Sequence, residues 1–105
     1  MNAFDERERA FEAQFKHDQE LQFKVKTRRN RLLGLRVAER LGLAGEAARA
    51  YAQEVVDDEF AGGDRRVVEK VCADLNAAGQ SCTPAQIEFE LAHFAETAKT
   101  QIMRE

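Results

Sequence analysis

From Met1 to Leu41 the chain has no proline and no glycine before Gly34, and most positions that would face solvent are charged. Such a stretch reads as one long helix, and whatever else folds must pack against it. Its apolar pattern changes partway along. Phe4, Phe11 and Phe15 are spaced by seven and four, which puts them on one side of a helix. Past Phe15 that side is occupied by Asp18, Gln19 and Gln22, and the seam stops. A second stripe then begins, with Leu21, Val25 and Leu32 on one edge and Leu33, Val37 and Leu41 on the other. The first stripe is a phenylalanine face with no continuation into a core. The second is the face of an ordinary bundle helix.

Charge divides at nearly the same place. Through Gln22 there are six acids, Asp5, Glu6, Glu8, Glu12, Asp18 and Glu20, against Arg7, Arg9 and Lys16. From Phe23 to Arg40 seven bases (Lys24, Lys26, Arg28, Arg29, Arg31, Arg36 and Arg40) face Glu39 alone. The remainder is acidic again and brings the whole chain to −3. A basic run on a helix reads first as its solvated face. It also offers a second use, contact with phosphate in a nucleotide or nucleic acid, although no aromatic residues interleave with RRNRLLGLR as stacking platforms.

The 105 residues suffice for one small domain, and no apolar run approaches the length of a membrane span. The acidic N-terminus lacks the apolar core of a secretory signal. Cys72 and Cys82 have no partners at metal-site spacing and read as free thiols, Cys72 as a small core residue and Cys82 in a loop.

Beyond Gly42, a natural helix stop, Glu46 to Phe60 predicts a second helix with Ala48, Tyr51, Ala52, Val55 and Val56 inward. Gly62-Gly63 predicts a break. Asp64 would cap a third helix carrying Val67, Val68, Val71, Cys72 and Leu75, closed by Gly79. Thr83-Pro84-Ala85-Gln86 is the clearest local signal: an N-cap, a proline in the first turn and a capping-box glutamine. The fourth helix that follows would bury Ile87, Leu91, Phe94, Ala95, Ala98 and Ile102. The expectation is all-α, a small four-helix bundle.

Catalysis finds no support. There is no phosphate-cradling glycine loop and no Cys–His pair, and Glu90-x-x-His93 lacks the second copy and further carboxylates that a di-iron site needs. No cofactor and no metal site are expected.

The blocks Phe4-Asp5-Glu6-Arg7-Glu8-Arg9-Ala10-Phe11-Glu12, His17-Asp18, Glu20-Leu21, Phe23-Lys24 and Arg28-Arg29-Asn30-Arg31-Leu32-Leu33-Gly34-Leu35 resemble the zeta inhibitor subunit of alphaproteobacterial F-type ATP synthases. Tyr51-Ala52-Gln53-Glu54-Val55-Val56 and the stretch from Asp64 to Leu75 fit the same pattern. Two positions depart from it. Lys16 stands where a small residue is expected, and Arg36 where an aromatic is expected; neither lies on the Phe stripe.

The resemblance implies a four-helix bundle of residues 18–105 with a mobile inhibitory segment, residues 1–17. That segment would enter the catalytic head formed by the alpha, beta and gamma subunits, near the rotor, and block rotation in the hydrolytic direction. Its contact residues would be Phe4, Asp5, Arg7, Glu8, Phe11, Glu12 and Phe15, with secondary contacts from Arg28, Arg29 and Arg31. The protein would be a regulator and not an enzyme, monomeric when free. It would be cytoplasmic, held at the inner membrane only through the synthase, with no membrane insertion and no nucleic-acid partner. Weak ATP or ADP binding stays open. The alternative is a small nucleotide- or nucleic-acid-binding helical module that uses Lys24 to Arg40.

Overall fold

A computed structural model describes the backbone from Ala3 to Glu105 and the side chains from Asp5 onward. Three helices account for the described residues: α1 (Ala3–Arg40), α2 (Gly45–Ala77) and α3 (Pro84–Met103). No strand occurs among them, and no helix is long and apolar enough to cross a membrane.

α1 runs unbroken for 38 residues, about 57 Å at 1.5 Å per residue, and largely sets the 64 Å length of the molecule. It stops where the sequence indicates. Leu43 N donates to Ala38 O at 2.9 Å and Gly42 N to Glu39 O at 3.1 Å, the paired bonds of a Schellman end. The same pair recurs after α2, from Gln80 N to Leu75 O at 3.0 Å and from Gly79 N to Asn76 O at 3.0 Å. α3 begins on the full capping box, Thr83 accepting from Gln86 N and Gln86 Oε1 accepting from Thr83 N.

The expected four-helix bundle is corrected to three helices. Gly62-Gly63 does not separate two helices by a loop. Gly63 alone leaves helical geometry, at φ 75° and ψ −167°, and the helix resumes at once, so the expected second and third helices are one element, α2. The single left-handed residue turns α2 back on itself. Tyr51 Oη donates to Asp74 at 2.7 Å, Lys70 Nζ pairs with Glu54 at 3.1 Å, and Arg66 pairs with Asp58 at 3.4 Å. These contacts run antiparallel about residue 62. A side chain at Gly63 would cost about 1–3 kcal/mol, since that backbone region is populated essentially by glycine alone.

Packing centres on α1. α2 and α3 each lie mainly against it and meet each other over a smaller area. Leu33, Val37 and Ala38 of α1 join Tyr51, Val55, Val67, Val68, Val71, Cys72 and Leu75 of α2 and Ile87 and Leu91 of α3 in one core. α1 and α2 come closest at Gly34, where an added Cβ would stand 2.6 Å from Ala52 Cα. Only a glycine permits that backbone approach. Leu21, Val25 and Leu32 are half-buried and form the shoulder of the core.

Candidate partner-binding helix

The core uses only the C-terminal half of α1. From Glu6 to Glu20 every side chain is exposed, so about four turns, roughly 22 Å of helix, project past the bundle. Asp5 and Glu6 in its first turn suit the positive end of the helix dipole, and Gln14 Nε2 donates to Asp18 at 3.0 Å along its surface.

On this projection Phe11 is 73% exposed and Phe15 56%. Arg7, Glu8 and Glu12 are exposed around them, and Asp5 is half-buried. The side chain of Phe4 lies outside the described residues, as do Met1 and Asn2 at the start of the 1–17 segment. The helix thus brings two of the three stripe phenylalanines and their flanking charges onto one unpacked rod. Such a rod can lay its apolar side in a groove of another protein.

Two further phenylalanines extend the exposed aromatic surface and have no counterpart in the sequence-predicted site. Phe23, at the base of the projection, and Phe60, near the turn of α2, pack at a ring-centroid distance of 5.5 Å while both stay more than half exposed. Phe23 follows Phe15 by eight residues and so falls off the Phe4–Phe11–Phe15 line, which hides it from a periodicity reading.

The basic run divides sharply. Arg28 pairs with Glu105 and Arg31 donates to Gln53 at 3.2 Å, both near the surface. Arg29 is different. It is 8% exposed, and its guanidinium donates to Asp64 at 2.7 and 3.4 Å and to Glu59 at 3.3 Å. Asn30 Oδ1 accepts from it twice, at 3.0 and 3.2 Å. Glu59 and Asp64 stand on the two limbs of α2 either side of Gly63, so Arg29 clamps the turn. Hydrogen bonding to Arg29 holds the Asp64 carboxyl below its ordinary range. Burial, aided by the neighbouring Asp64, raises that of Glu59. Of the three arginines proposed as secondary contacts, this one is occupied by the fold. Its burial was invisible in the sequence, because a charged residue on a helix reads as solvated and the acids that meet this one are 30 and 35 residues away.

Arg40 also ends up within the bundle, paired with Glu90 of α3 at 2.5 Å. That engages the carboxylate of the Glu-x-x-His pair, while His93 lies edge-on against Phe94 at 5.4 Å. No group of three or more metal-capable side chains occurs among the described residues.

The description matched by the chain over residues 1–101 is that of ATPase inhibitor subunit zeta. The chain belongs to this family. The match takes in the projecting helix together with the bundle, so the Phe-bearing rod is part of the zeta pattern and not an appendage to it. A chain solved by solution NMR is 39% identical to this zeta-family protein, with a TM-score of 0.69. The similarity covers 80% of the present chain and 96% of the solved one. No curated protein matches the chain.

Proposed function

We propose that this zeta-family protein inhibits ATP hydrolysis by an F-type ATP synthase. In this reading the helix from Phe4 to His17 enters an interface between catalytic and non-catalytic subunits of the head, beside the rotor, and blocks rotation in the hydrolytic direction. Residues 1–17 are the inhibitory unit and residues 18–105 the body that holds it.

The observation that carries the reading is the exposure of Phe11 and Phe15 on a helix continuous with the core. Buried in a partner groove, each phenylalanine contributes roughly 1.5–3 kcal/mol of transfer free energy, before ordering and association costs are subtracted. Asp5, Arg7, Glu8 and Glu12 then set register more than affinity. A block to rotation must also bear load, and a helix without a hinge between its tip and Leu33 transmits force to the bundle. Arg28 and Arg31, whose partners Glu105 and Gln53 lie near the surface, would exchange them for secondary contacts on binding.

The test is to add the purified protein to its cognate ATPase and measure hydrolysis. Deletion of residues 1–17 should abolish inhibition while leaving the melting temperature nearly unchanged. Phe11→Ala or Phe15→Ala should each weaken binding by about 1.5–3 kcal/mol. A truncated protein that folds and still inhibits fully would place the inhibitory surface elsewhere and defeat the proposal.

A further inference from the structure

Cys72, near the C-terminal end of α2, and Cys82, just ahead of α3, present their Sγ atoms 3.0 Å apart. Neither is bonded to another cysteine. The approach is built by the surrounding chain. Asn76, one turn after Cys72, accepts from Cys82 N at 2.9 Å through Oδ1 and donates to Cys82 O at 3.3 Å through Nδ2, fixing the backbone of Cys82 through both its polar groups. Thr83, the next residue, is fixed by the capping box of α3. Cys72 is buried in the core, and Cys82 is half-exposed. One thiol is therefore reachable by a small oxidant, and its partner waits behind it.

We propose that Cys72 and Cys82 form a dithiol/disulfide site, oxidised by thiol exchange with a low-molecular-weight disulfide of the glutathione type. The Cys82 thiolate attacks one sulfur of the reagent, forms a mixed disulfide and releases the first small thiolate. The Cys72 thiolate then attacks Cys82 Sγ, closes the protein disulfide and expels the second. The two protein thiols lose two protons and two electrons. The reagent's S–S bond is reduced, and the two thiols released carry the protons. Burial and the neighbouring Cys82 push the Cys72 thiol up to about 12, so Cys82 reacts first. Once Cys82 is in the mixed disulfide it no longer opposes ionisation of Cys72 by its charge.

The bridge would tie α2 to the start of α3. Gln80 in the same loop donates to Arg40 O at the C-terminal end of α1, the opposite end of that helix from Phe11 and Phe15. Oxidation therefore tunes the stability of the body and leaves the projecting surface alone, an inference independent of what that surface binds.

The experiment equilibrates the full chain in mixtures of oxidised and reduced glutathione, native and in concentrated urea, and counts free thiols after acid quenching. Because native packing already brings the sulfurs together, the folded protein should be oxidised more favourably than the unfolded chain by about a hundredfold, the factor expected for a loop of this size. The oxidised protein should be monomeric and melt about 10 °C or more above the reduced one. Asn76→Ala should narrow the native-to-unfolded ratio with helicity intact, and Cys82→Ser should abolish the difference between redox states. Thiols that stay free in the native protein while the unfolded chain forms the bond would overturn the proposal. So would a disulfide that lowers the melting temperature or links two copies.

Discussion

Arg29 offers the sharpest test of how this fold is held. Its guanidinium pairs with both Glu59 and Asp64, and the side chains of Arg29 and Glu59 are almost entirely shielded from water. Removing one partner of a fully buried ion pair costs about 3–5 kcal/mol, because the remaining charge is left uncompensated. Here the figure must be discounted. Asp64 is about half exposed and can regain water, and Lys26 still pairs with Glu59 at 3.3 Å. Arg29→Gln should therefore cost about 2–3 kcal/mol.

Arg28→Gln is the control, since its pair with Glu105 is far more exposed and such pairs contribute about 0–1 kcal/mol. Urea unfolding followed by circular dichroism measures both, provided the slope against denaturant is unchanged. A double-mutant cycle of Arg29→Gln with Asp64→Asn should show a coupling of about 1 kcal/mol or more. If Arg29→Gln proves no more costly than Arg28→Gln, the clamp on the α2 turn is not what the geometry says it is.

Gly34→Ala would drive a methyl into the Ala52 backbone, and this overpacking of about 1–3 kcal/mol exceeds the gain of about 1 kcal/mol in helix propensity. Thermal unfolding should show a net loss. Tyr51→Phe removes the 2.7 Å bond to Asp74 and should cost about 1–2 kcal/mol by the same assay, with helicity unchanged. Asp64 is held below its unfolded value of about 3.9, so its contribution is complete above that value and drains away as pH falls through the lower folded one. Asp64→Asn should flatten the acid limb of a melting-temperature profile. Glu59 is shifted the other way and opposes folding as pH rises through its range, so Glu59→Gln should cost little at neutral pH.

The sequence showed the helical class, the Schellman ends at Gly42 and Gly79, the capping box at Thr83 and nearly all of the core, because each follows from local pattern. It misled at Gly62-Gly63. A glycine pair signals that helical geometry fails, but not for how many residues, and here one suffices. It also could not show that Arg29 is buried, since burial of a charge depends on acids 30 and 35 residues away. The exposure of Phe11 and Phe15 was legible because the polar residues Asp18, Gln19 and Gln22 interrupt their side of the helix before the core begins. Phe23 was not, since its partner Phe60 comes from another helix.

The division of charge along the chain takes on a different meaning once these contacts are known. A run of seven bases suggests an outside anion. Yet Lys26 and Arg29 meet Glu59, Arg29 meets Asp64, Arg40 meets Glu90 and Arg28 meets Glu105, so the acids of α2, α3 and the C-terminus absorb much of the run. Segregated charge here helps to dock α1 onto its own bundle, with four of the seven bases met by acids of the fold. The projection from Glu6 to Glu20 has the opposite balance, five acids against three bases, and among the described residues no part of the bundle covers Phe11 or Phe15. A groove that accepts it should therefore be apolar along its floor and basic along its rim. Salt should slow association with such a groove more than it speeds release. Stopped-flow binding to the ATPase head at rising ionic strength would measure this directly, and a dissociation rate that carried most of the salt effect would count against rim steering.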